Sequence, residues 1–128
     1  MNQEQKIILT AADFARLNGL VSDPGLAAEL DKALIVDARR APRDLVTMNS
    51  RVRYQDESTG EIREITIVYP QDSNPSAGDV SVLAPVGTAL LGLTVGQSIH
   101  WPFPDGGSRD LRVVEVIRQP EADERVEA

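Results

Sequence analysis

Near residue 44 the hydrophobic period of this chain changes, and that change limits its fold more than any other feature. Upstream, Phe14, Leu17 and Val21, then Leu26, Leu30, Ala33 and Leu34, recur at spacings of three and four. Downstream, Val52 and Tyr54 alternate with Arg51, Arg53 and Gln55, and Ile65, Ile67 and Tyr69 alternate with Glu64 and Thr66. The first period buries one stripe of a helix and the second buries one face of a strand. A chain that switches once between them folds as helices followed by a sheet, an α+β plan. Ala41 and Pro42 mark the break, so residues 1–44 are expected as a helical hairpin and residues 45–128 as a sheet domain.

The helices carry their own start signals. Thr10 and Asp13 stand at capping-box spacing and Leu9 with Phe14 at the positions of a hydrophobic staple, so a helix starts near Ala11. Asp23 and Pro24 repeat the signal, a cap residue and then proline in the first turn. Gly19 to Asp23 is a short connection, which implies an antiparallel helical hairpin whose tip is Ser22 and Asp23. Each helix should reach roughly 15 to 25 Å. The second is expected to end in Arg39 and Arg40, with Arg43 just past Pro42. Those arginines either complement the negative end of a helix dipole or contact an acidic partner or a nucleic-acid backbone.

After residue 44 the punctuation defines the sheet. Asp56 to Gly60 turns a hairpin, and Pro70 to Gly78 is a loop built from turn formers. In DVSVLAPVGTALLGLTVGQSIHW (Asp79 to Trp101), a short strand passes into a helix at Pro85, stops at Gly92, turns at Gly96 and resumes as a strand at Ile99. In the last strand, Leu111 to Ile117, Leu111 and Val113 point one way and Val114 and Val116 the other. That pattern requires burial on both faces or a bulge. The expectation is an antiparallel sheet of about five strands carrying one short helix, with a mobile acidic tail from Glu121.

Composition narrows function. The net charge of -7 argues against wrapping nucleic acid by bulk charge, and the chain has no cysteine for a disulfide or a thiolate metal site. The opening MNQEQKIILT has no apolar leader pattern, and a soluble, cytoplasmic protein without membrane contact is expected. His100 is the only histidine and faces away from Ile99 and Trp101 on its strand. Glu29 with Asp31, and Glu61 with Glu64, lack the geometry of a catalytic or metal-binding pair, and there is no Gly-x-Ser-x-Gly elbow. No catalytic residue, metal site or cofactor is expected, and the chain reads as a monomeric interaction protein.

Four runs carry a family resemblance: VTMNSRVRY (Val46 to Tyr54), ITIVYP (Ile65 to Pro70), SVLAPVGTALLGLTVGQSIHW (Ser81 to Trp101) and RQPEA (Arg118 to Ala122). They resemble the Rnk family, regulators of nucleoside diphosphate kinase, and more distantly the C-terminal domain of the GreA and GreB transcript-cleavage factors. The resemblance implies an FKBP-like C-terminal domain, an N-terminal coiled coil, and RNA polymerase as partner, bound at the entrance of its secondary channel. The implied docking loop is Leu83, Ala84, Pro85 and Val86: Pro85 matches the family proline and Ala89 and Leu90 the following helix, whereas Leu83 and Ala84 stand where the Gre pattern is more polar. Gre factors hold a magnesium ion with acidic residues at the coiled-coil tip. Here Asp23 is alone, so the implied role is competition with Gre factors without RNA cleavage. The alternatives are an FKBP-like prolyl isomerase using Tyr54, Tyr69, Trp101 and Phe103, or a direct regulator of nucleoside diphosphate kinase.

Overall fold

The structure, a computed structural model, describes residues 7–19, 27, 30–31, 33–103 and 106–124. The expected hairpin tip, Ser22 and Asp23, lies outside them. The chain opens on a short strand β1 (Ile8–Thr10) and helix α1 (Ala11–Asn18). Thr10 caps the helix as the sequence predicts, its hydroxyl oxygen accepting the Asp13 N–H at 3.1 Å. Eight residues span only about 12 Å, shorter than expected.

Ala27, Leu30 and Asp31 are helical, but the second helix does not run on through Leu34 into the arginines. Leu34–Val36 is strand β2, parallel to β1 with Leu9 opposite Ile35. Leu34, Ile35 and Val36 satisfy a helical period on paper, but two of the three are β-branched and a matching apolar run, Ile7 to Leu9, lies beside them. Ala38–Arg40 then forms a 3₁₀ turn capped by Asp37, whose Oδ1 accepts the Arg39 N–H at 2.9 Å. Arg39 and Arg40 therefore do not complement the end of an α-helix.

The main sheet has the order β5-β4-β3-β7-β6, formed by β3 (Arg51–Asp56), β4 (Ile62–Val68), β5 (Asp79–Ser81), β6 (Ser98–Pro102) and β7 (Ser108–Arg118). It is not wholly antiparallel, because β5 runs parallel to β4. The long connection through Pro70 to Gly78 carries the chain back to Thr66, so that β5 starts opposite it and runs the same way as β4, which a two-residue hairpin cannot do. In β7 the bulge alternative holds. The register against β3 shifts between Arg51 and Val52 and again between Arg53 and Tyr54, leaving Ile117 and Val114 as the extra residues. Leu111, Val113 and Val116 thereby all turn toward the core.

Helix α2 (Pro85–Leu90) lies on the inner face with Ala89 and Leu90 fully buried. Ile7, Leu9, Leu17 and Leu30 share one apolar cluster with Val46, Val52, Ile67, Leu90 and Leu111. Residues 45–48, just after the expected boundary, are all buried. The Val46 N–H donates to the Leu93 carbonyl at 2.9 Å, and the Val46 carbonyl accepts the Gly92 N–H at 2.9 Å. At the start of the expected acidic tail, Pro120–Glu124 forms helix α3. No helix among the described residues is long and apolar enough to cross a membrane.

Candidate functional site

The expected docking loop is held from three sides. Val82 is buried, its N–H donating to the Val68 carbonyl at 2.9 Å. Ser81 shapes the next two residues, its hydroxyl accepting the Leu83 N–H at 3.1 Å and its carbonyl the Ala84 N–H at 2.9 Å. From α2, the Thr88 hydroxyl is shared between the carbonyls of Val82 at 2.6 Å and Ala84 at 3.2 Å. Pro85 starts the helix with a preset φ and no wasted N–H. Gly87 lets the helix close onto the strand: a Cβ there would stand 2.4 Å from the Ser81 carbonyl oxygen.

The outcome is a rigid apolar projection. Leu83 is 37% exposed at its apex, and Ala84, Pro85 and Val86 are half-buried behind it. Neither this loop nor α2 contains a titratable side chain. It can offer shape and apolar area to a partner, and it cannot move a proton.

The other candidates are dispersed. Arg39, Arg40 and Arg43 are exposed on the turn after β2, with Arg39 Nε 3.7 Å from the Asp37 carboxylate. His100 is exposed as expected, its Nδ1 2.7 Å from Asp110 Oδ1 across the β6–β7 pair. On the outer sheet face, Arg51 Nε meets Glu64 Oε2 at 2.6 Å and Arg53 bridges Glu64 and Glu115. Glu64 is thus a ladder charge, and the Arg51 hydrogen bond holds its carboxyl below the ordinary value. Of the four aromatics considered for an isomerase pocket, Tyr54 and Tyr69 are buried, and Trp101 and Phe103 pack half-buried against the core.

One cluster was not anticipated. Asp13, read from sequence as a capping-box residue, is buried: its Oδ2 accepts the Met48 N–H at 3.1 Å and its Oδ1 takes a long 3.4 Å contact from the Tyr69 hydroxyl. Burial pushes its carboxyl above the ordinary range, the Met48 bond opposes that, and the charge of Glu121 adds to it. The Tyr69 phenol is likewise pushed up by burial and by Asp13. The Arg16 guanidinium lies 3.8 Å from the centroid of the Tyr69 ring. Nearby, Thr47 donates to Glu121 Oε1 at 2.7 Å and its N–H reaches the Ser50 hydroxyl at 3.0 Å. A signal existed: Asp13 lies one helical turn before Leu17, a carboxylate on the apolar face.

Comparison with known proteins adds three relatives. The family model for the C-terminal part of the transcription elongation factors GreA/GreB matches residues 41–118. The chain is 45% identical over 125 residues to a regulator of nucleoside diphosphate kinase from Escherichia coli (strain K12), covering 91% of this chain and 92% of that protein. It is 33% identical to transcription elongation factor GreA from Clostridium botulinum (strain Eklund 17B / Type B), over 66% of this chain and 52% of that protein. A solved structure of a prokaryotic transcription elongation factor GreA/GreB from Nitrosomonas europaea superposes with a TM-score of 0.71 at 45% identity, covering 90% of this chain and all of that one.

Proposed function

The chain belongs to the GreA/GreB C-terminal family and, within it, to the regulators of nucleoside diphosphate kinase, and from that premise we propose that it is a non-enzymatic regulator of transcription that docks on RNA polymerase. The contact is Leu83, Ala84, Pro85 and Val86, at the entrance of the secondary channel, where it competes with Gre-type factors. The observation that supports this is the loop itself, apolar at its apex and held by Ser81 and Thr88 before any partner arrives. Preorganisation of this kind reduces the ordering cost of association. On this reading the sheet with α2 is FKBP-like in arrangement and acts as a platform. Arg39, Arg40 and Arg43 offer a secondary contact to acidic protein or nucleic-acid backbone.

The same reading assigns no RNA cleavage. Asp23 is the lone acidic residue expected at the tip, and α1 spans only about 12 Å. The test is a pull-down with core polymerase and competition by a Gre factor, alongside a cleavage assay on stalled complexes. We expect competable binding that Pro85→Asp weakens, and no cleavage above polymerase alone. Absence of association where a Gre factor binds would sink the proposal. A second reading, direct regulation of nucleoside diphosphate kinase, draws on the name of the E. coli relative and requires binding to that purified kinase.

A further inference from the structure

We propose that Asp13 and Glu121 form an acid-sensitive clasp, in which two carboxylates grip adjacent residues of one buried strap and couple the seating of α1 to the seating of α3. The strap is the segment Leu45 to Ser50, in which every residue but Asn49 is buried. Helix α1 is fastened to it by Asp13 Oδ2, which accepts the Met48 N–H at 3.1 Å. Helix α3 is fastened one residue earlier by Glu121 Oε1, which accepts from the Thr47 hydroxyl at 2.7 Å. Gln119 Nε2 brings the C-terminal segment onto the start of the same strap and the turn before it, donating to the carbonyls of Leu45 at 2.9 Å and Pro42 at 2.7 Å. Elements from opposite ends of the chain thus depend on a few consecutive backbone positions.

The coupling has a definite sign. The groups facing Asp13 are the Thr10 hydroxyl at the start of α1, the Met48 N–H from the strap, the Tyr69 hydroxyl from the end of β4 and the Glu121 carboxylate from α3. Arg16 is the nearby cation, and its guanidinium is stacked on the Tyr69 ring. With both carboxylates charged, each fastening opposes the other through like-charge repulsion in a partly desolvated setting. A proton on Asp13 relieves that repulsion, so both helices seat together on mild acidification. Conversely, a contact that lifts α3 from Thr47 removes the Glu121 charge and lets ionised Asp13 hold α1 more firmly. The C-terminal segment thereby sets how firmly α1 is held.

The test uses the full chain, with carboxyl-carbon NMR titration of Asp13 and amide exchange of Met48 and α1. The Met48 amide shift should titrate with the Asp13 midpoint. Glu121→Gln should lower that midpoint and slow exchange of the α1 amides several-fold at neutral pH. Thr47→Val removes the Glu121 fastening without changing charge and serves as a second variant should Glu121→Gln fail to fold; it should shift the midpoint in the same direction. An Asp13 midpoint unmoved in a folded variant of either kind, or a Met48 amide indifferent to Asp13 titration, would overturn the clasp.

Discussion

At Gly92 the backbone is left-handed, with φ +86°, and a Cβ there would stand 2.2 Å from Ile7 Cγ2. The sequence reading of Gly92 as a helix stop accounts for the first fact. The second arises because β1 crosses this point, with the Ile8 N–H donating to the Gly92 carbonyl at 3.1 Å. Gly92→Ala should therefore combine left-handed strain with overpacking against Ile7 and lose about 2 kcal/mol or more in urea unfolding. A loss indistinguishable from zero would mean that β1 moves aside freely. Asp13 allows a cleaner comparison. Asp13→Ala leaves the buried Met48 N–H without its acceptor and should cost about 1–3 kcal/mol, whereas Asp13→Asn keeps an acceptor oxygen and should cost less. Equal losses in the two variants would show that the hydrogen bond is not what Asp13 supplies.

Among the elements, the proposed docking divides the loop and its helix into a contacting part and a supporting part. Leu90 is fully buried in α2, and Leu90→Asp places an unpaired charge in the core, with an expected loss on the order of 4 kcal/mol or more. Pro85→Asp replaces a half-buried residue at the first turn of that helix, where a carboxylate suits the local dipole, so it should weaken partner binding with little change in melting temperature. Thermal melts equally damaged by both would abolish the division. Thr88→Val conserves volume and deletes the hydroxyl that ties α2 to the carbonyls of Val82 and Ala84. It should cost roughly 1–2 kcal/mol and also raise the dissociation constant for the partner, because the loop is no longer held in advance. The absence of any effect on affinity would place the rigidity elsewhere.

Across the whole molecule, two carboxylates set opposite pH slopes. Burial raises the Asp13 carboxyl above the ordinary aspartate value of 3.8, so the folded chain binds the proton more tightly than the unfolded one. Its contribution to stability falls as pH rises from that value through the raised folded one. Glu64 is lowered from 4.5 by its Arg51 hydrogen bond, so its contribution is present above 4.5 and is lost as pH falls through the folded value. Glu64 is solvent-facing, and salt should screen its share. Urea unfolding from about pH 4 to 7 should show Asp13→Asn flattening the decline toward neutral pH while leaving the acid-side loss intact. A wild-type decline that persists unchanged in Asp13→Asn would assign it to another group.

By itself the sequence determined what depends on neighbours along the chain. The Thr10 cap, the Asp56 to Gly60 turn, the Pro85 start, the left-handed Gly92 and the alternation of β3 and β4 all follow from local sterics and a period of two. The passage from strand to short helix at Pro85 was legible in the same way, whereas the docking role proposed for Leu83 to Val86 came from the family resemblance. Tertiary structure decided what depends on distant partners. Leu34 to Val36 became a strand because Ile8 to Thr10 was there to pair with it, and β5 became parallel because its loop crossed back. Glu121 sits in a short helix against the strap because the Thr47 hydroxyl, 74 residues away in sequence, donates to its carboxylate. Periodicity reports which face of an element is apolar; it does not report which remote backbone group will meet a buried carboxylate.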